Sequence, residues 1–179
     1  GIRAASTSIF SRAWAKGSPL PSILRRSVGL ELALALALTL HQIGVPCTVF
    51  ESVAELQPLG VGINLLPHAV RELAELGLLD DLIGIGFEIH DLHYLTADGQ
   101  SVWHEPRGSK AGYHWPQIAI HRGELQMFLL AKVRERMGPD VLRLGHELCD
   151  LEVTGPRVRA RLHDRIAGRE VTITPDLLL

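Results

Sequence analysis

The chain has 179 residues, 46% of them apolar, and eighteen Lys and Arg against twenty Asp and Glu, for a formal charge of -2. That is enough chain and apolar surface for one buried core or a little more, and the near-balance of charge, with no basic block to follow a phosphate backbone, gives a nucleic-acid partner no electrostatic support, so none is expected. The longest apolar run, Val28 to Leu40, is broken by Glu31 and falls short of the roughly 20 residues that cross a bilayer, so no membrane span is expected.

In chain order, residues 1–27 come first as an atypical leader: Arg3, Arg12, Lys16, Arg25 and Arg26 stand there with no acid. A transit peptide has that bias; a stretch foreign to the natural reading of the gene is the preferred reading, and a leader without order is compatible with either. Leu30 to Gln42 is Leu- and Ala-rich on every face, which predicts a helix buried between a sheet and neighbouring helices, with Gly44 as its stop. Val45 to Phe50 predicts a short buried strand ending in Glu51. A second helix is expected from Pro67 to Gly77, with Val70, Leu73 and Leu76 along one side.

"EIHDLHYLTADGQSVWHEP" alternates around Ala97-Asp98-Gly99 and predicts a hairpin. "PQIAIHR" reads as a strand, and "GELQMFLLAKVRERMG" as an amphipathic helix closed by Gly138. From Val141 onward three or four strands are expected, turning at Gly155-Pro156 and Ala167-Gly168, with a last apolar strand at Asp176–Leu179.

Several residues in this frame can carry chemistry. Glu51 ends a parallel strand about twenty residues beyond a helix start, the position from which a carboxylate accepts hydrogen bonds from a ribose; a solvated strand-end acid is the plainer reading. The glycine-rich turn that would cradle a pyrophosphate there is reduced to Gly29, and side chains at the other turn positions bring strain or overlap with phosphates. Gly60 and Gly62, separated by Val61, let backbone pass close to a flat ligand or turn sharply. Arg122, between a strand and a helix, suits a phosphate or an ordinary ion pair. Trp103, Tyr113 and Trp115 flank the Arg107-Gly108 loop and would line an aromatic pocket or fill core.

Cys47 and Cys149 read as two buried free thiols in a reducing compartment, a disulfide being the lesser alternative, and a cytoplasmic location is expected. His90 and His93 lie three apart in an alternating segment, hence on opposite faces, and no metal site is expected. No Ser/His/Asp triad, acid pair or reactive cysteine emerges from the spacing, so no catalytic side chain is assigned.

The stretches "ALTLHQIGVPCTVFESVAELQPLGVGINLLPHAVRELAELGL", "EPRG" and "WPQIAIHRGELQMFLLAKVRERMGPD" together resemble the amino-terminal part of the class A FAD-dependent aromatic hydroxylases. The likeness is to the para-hydroxybenzoate and salicylate hydroxylase type, and within it to the phenazine-carboxylate hydroxylase branch. The resemblance implies an α/β fold: a Rossmann-like FAD-binding βαβ domain over residues 28–179, truncated, with strands of an antiparallel substrate-domain sheet inserted at about 88–118. It implies FAD, NAD(P)H as reductant, molecular oxygen and an aromatic small-molecule substrate. Carried over by position, Glu51 would hold the adenosine ribose, Gly60, Val61 and Gly62 would pass beside the flavin, and Gln117 and Arg122 would reach the ribityl-pyrophosphate region. Gly29 would be what remains of the phosphate turn, its strand and first glycines being replaced by "SILRRSV". From these departures the chain alone is expected to be inactive, and to self-associate through uncovered apolar surfaces. A remnant or interaction domain that keeps the fold and binds no flavin is the competing expectation.

Overall fold

The structure, a computed structural model, describes residues 29–155, 157–176 and 178. The leader read at residues 1–27, Pro156 of one expected turn, and Leu177 and Leu179 of the expected last strand lie outside them. The first half runs α1 (Leu30–Gln42), β1 (Val49–Phe50), β2 (Gly62–Leu65), α2 (Pro67–Glu75), α3 (Leu79–Ile85), β3 (Phe87–Ile89), β4 (Asp91–Leu95) and β5 (Ser101–Pro106). After a 3-10 turn at Gly108–Ala111 come β6 (Gln117–His121), α4 (Arg122–Met137), β7 (Leu142–Arg143), β8 (His146–Thr154), β9 (Arg157–Asp164) and β10 (Arg169–Ile173).

The helices end where their glycines allow. Past α1, Gly44 takes φ 77°, its N–H donates to the His41 carbonyl, and the Val45 N–H reaches back to the Leu40 carbonyl at 2.8 Å. The end of α2 repeats this with Gly77 and Leu78, the latter fully buried under the turn that it closes. Both are six-to-one caps that satisfy otherwise orphaned carbonyls.

α1 is not buried on every face as expected. Leu30, Leu34, Ala37 and Leu38 form one inward stripe, while Leu32 is 63% exposed. Its main packing partners, α4 and β1, cover one side only. Leu34 and Leu38 meet Leu129 and Val133 of α4 in the principal core, together with Val70, Leu82 and Ile118. Each such side chain contributes about 1.5–3 kcal/mol by leaving water.

The described strands form four sheets. β2, β6 and β3 form an antiparallel sheet with β6 in the middle, so Ile118 and Gln117, on opposite faces of β6, are both buried. β4 and β5 form the expected hairpin around Gly99. β1 pairs in parallel with β7 over two residues, which shortens the strand read at 45–50: β7 presents only two partners, and Pro46 has no N–H to give. β8, β9 and β10 form a meander. Along β9 the side chains of Val158, Ala160 and Leu162 face in while Arg157, Arg159 and Arg161 face out, and Gly155 and Gly168 turn at φ 63° as anticipated. At the second of these turns the buried Asp164 carboxylate accepts the Ile166 and Ala167 N–H groups, which hold it below the usual carboxylate range.

The cysteines depart from expectation. No disulfide joins them, but Cys149 is exposed, at the β-bulge where β8 shifts register against β9 and one residue is left unpaired. Cys47 is half-buried, and burial pushes its thiol up. Among the described residues no helix is long and apolar enough to cross a membrane.

Candidate functional site

β6 runs out of the core straight into α4, and Arg122 is the first residue of that helix. The segment before β2 lies directly on this junction. The Arg122 N–H donates to the Val61 carbonyl at 3.0 Å, Gly62 pairs with His121 in register, and His121 Nε2 is 3.2 Å from the Gly60 carbonyl. Two glycines permit the approach: a Cβ on Gly60, which has φ 148°, would come within 3.0 Å of Arg122 Cβ, and one on Gly123 would sit 2.3 Å from the Pro58 carbonyl carbon. At Gly62 the space is open, and nothing in the described residues demands glycine there.

The start of α1 completes the corner. Gly29 is its N-cap residue and offers no side-chain cap, so the first N–H groups of the helix present the positive end of its dipole. Arg122 reaches this same point. Its Nε donates to Glu31 Oε1 at 2.9 Å and its Nη2 to Oε2 at 3.4 Å, and a Cβ on Gly29 would meet Glu31 Oε2 at 2.9 Å. A guanidinium beside a helix N-terminus and a glycine is a set of groups suited to a phosphate. Here the chain's own Glu31 carboxylate occupies it.

The structure therefore brings Gly29, Gly60, Val61, Gly62 and Arg122 together. Gln117 begins β6, five residues before Arg122 and about 16 Å away at the usual strand rise. It is only 6% exposed and lies under the "EPRG" loop, where Gly108 takes φ 52° and a Cβ would meet the Gln117 nitrogen at 2.5 Å. Glu51 belongs to a different ladder. Its backbone extends the β1–β7 ladder, its N–H donating to Arg143 and its carbonyl accepting from His146, both at 2.9 Å. Its carboxylate accepts the Ser52 hydroxyl at 3.1 Å and the Val53 N–H at 3.2 Å, contacts that close a local turn.

Trp103 and Tyr113 are exposed, whereas Trp115 packs against the core with His114 edge-on at 4.5 Å. Reading the sequence missed Glu31 and Gly123 as determinants of the corner, and Gly108 as the residue that lets its loop close on Gln117. The signals were present in the acid in the first turn of a helix and in the glycines of "IHRGELQ" and "EPRG".

No family model matches the chain. It is 47% identical over 136 residues to the phenazine 1,6-dicarboxylic acid hydroxylase PhzS of Lysobacter antibioticus, a match that covers 75% of this chain and 33% of that protein. The homologues of this chain are FAD-dependent monooxygenases. A 3-amino-4-hydroxybenzoate 2-monooxygenase of Streptomyces cremeus is 35% identical over 135 residues, and the FAD-dependent monooxygenase OpS4 of Beauveria bassiana is 32% identical over 158 residues. The chain spans about a third of the length of these relatives. Among solved structures, p-nitrophenol 4-monooxygenase PnpA from Pseudomonas putida DLL-E4 superposes with a TM-score of 0.69 at 19% identity, covering 79% of this chain and 35% of that one. The flavin-dependent monooxygenase PieE, solved with FAD and substrate, gives 0.66 at 22% identity, over 80% of this chain and 27% of that one. These likenesses give the fold: the mixed α/β arrangement of an FAD-binding monooxygenase.

Proposed function

We propose that this chain carries the part of an FAD-dependent aromatic hydroxylase that holds the adenosine and pyrophosphate of FAD. The parent reaction takes an aromatic small molecule, with NAD(P)H as reductant and molecular oxygen, in the cytoplasm. The observation that carries this is the 47% identity, over 136 residues, to a hydroxylase of a phenazine dicarboxylic acid. Residues 28–179 belong in this reading to the FAD-binding unit, and the strands at about 88–118 to an inserted substrate sheet.

When bound, FAD supplies the oxygen chemistry; the chain binds and orients it. Arg122 and the start of α1 take the pyrophosphate once Glu31 moves off the guanidinium, with Gly29 leaving room. The backbone of Gly60, Val61 and Gly62 would pass beside the flavin and Glu51 would accept hydrogen bonds from the ribose hydroxyls, whereas Gln117, buried under the "EPRG" loop, does not fit the ribityl contact that the resemblance implied. Exposed apolar side chains such as Phe87, Val102 and Trp103 favour self-association when nothing covers them.

The test is a purification and a melt. Flavin absorbance in the purified chain, or a rise in melting temperature on adding FAD, supports the reading, because a ligand that binds only the folded state must stabilise it. Colourless protein whose melt ignores FAD would favour a second reading, a flavin-free interaction domain. The observation on that side is the Glu31–Arg122 pair, which neutralises the cation that FAD needs.

A further inference from the structure

We propose that Asp91, His93 and His104 form a binding site for a borderline divalent transition-metal cation, Zn2+ or Ni2+ in kind, on one face of the β4–β5 hairpin. Asp91 and His93 are two residues apart on β4 and so point the same way. His104 lies directly opposite His93 in the register of the hairpin, and the two imidazoles stack with centroids 4.2 Å apart and planes 22° from parallel. His104 Nε2 is 2.7 Å from Asp91 Oδ1. One ligand atom from each of the three residues falls within 4.8 Å of the others.

Bonds of about 2.0–2.2 Å to a tetrahedral ion place ligand atoms about 3.3 Å from one another. The gap that must close is on the order of 1.5 Å, within reach of χ rotation for side chains that both histidines expose to solvent. Two imidazole nitrogens and one carboxylate oxygen select Zn2+, Ni2+ or Cu2+ over Mg2+ and Ca2+, which prefer all-oxygen shells. The remaining positions fall to water.

Lys110 acts on the site in two ways. Its ammonium donates to Asp91 Oδ1 at 2.7 Å and to Oδ2 at 2.6 Å, which orients the carboxylate. Its charge also opposes the incoming cation. A metal on Oδ1 leaves Oδ2 for Lys110, and Lys110→Gln is therefore expected to tighten binding.

The residues are separate from the Arg122 corner, so the outcome is independent of whether FAD binds. Calorimetric titration of the full chain with Zn2+, alongside Mg2+, tests the proposal on the wild type, His93→Ala, His104→Ala and His68→Ala. Binding of one equivalent of Zn2+ that weakens about 10-fold or more in the first two variants, stays unchanged in His68→Ala, and has no Mg2+ counterpart supports it. Zn2+ affinity that ignores both hairpin substitutions, or no Zn2+ binding at all, overturns it. If a variant fails to fold, acylation of histidines in the wild-type chain by diethyl pyrocarbonate, read by mass spectrometry, replaces it: protection of His93 and His104 by Zn2+ supports the site, and unchanged modification overturns it.

Discussion

Arg122 and Glu51, the two side chains proposed to hold FAD, are held in different ways. At the Arg122 end, backbone touches backbone: the segment from Pro58 to Gly62 lies on the start of α4 with no room for a Cβ at Gly123 and little at Gly60. That end is also continuous with the main core through Leu125 and Leu129. At the Glu51 end a two-residue parallel ladder carries a carboxylate whose contacts are all within two positions along the chain. The first end is a steric construction and should be stiff; the second is a local turn and should tolerate change. A phosphate site needs the former and a ribose contact can use the latter.

Removing core from behind the Arg122 end should have the largest effect. Leu129, 1% exposed on α4, faces α1, and Leu129→Ala is expected to cost about 2–5 kcal/mol in urea unfolding. A loss well below that range would mean that the α1–α4 contact does not anchor this end. Gly123→Ala comes next, since its methyl must displace the Pro58 carbonyl; an expected cost of about 1–3 kcal/mol would be accompanied by faster amide exchange in residues 59–62. Unchanged exchange there would remove the steric account of the corner.

Glu31→Gln separates stability from binding. Its partner Arg122 is half exposed, so breaking the pair should shift unfolding by only ~0–1 kcal/mol, while affinity for FAD or ADP, read by fluorescence titration, rises. Weaker nucleotide binding in this variant would show that the carboxylate assists the site instead of filling it. Glu51→Gln should move stability least, within about 0.5 kcal/mol, and lower FAD affinity through the lost ribose contact. Were Arg122→Ala to abolish binding and Glu51→Gln to leave it whole, the ribose role would be gone and the Arg122 corner would carry the binding by itself.

Much of the fold was legible along the chain. The extents of α1 and α4, the proline start of α2, and the glycine turns at Gly44, Gly77, Gly155 and Gly168 were readable because caps and periodicity act within a few residues. The helix α3 was missed: seven residues between two closed turns leave too short a pattern to register. The exposed position of Cys149 was misread because an apolar run does not announce a bulge. Of the site, the residues on "LGVGIN" and "IHRGELQ" do come together, but their neighbour Glu31 could not be found by spacing, being ninety-one positions from Arg122.

The amino-acid order by itself determined which segments are helical or extended, where they stop, and that the chain is kin to flavin-dependent hydroxylases, since these follow from local propensity, capping and motif. Only the tertiary structure decided which charges meet: that Arg122 is claimed by Glu31, that His93 faces His104 across a hairpin, and that α1 hides one stripe and shows Leu32. Such pairings are selected by the packing of distant segments, where burial and register outweigh what neighbouring residues can encode.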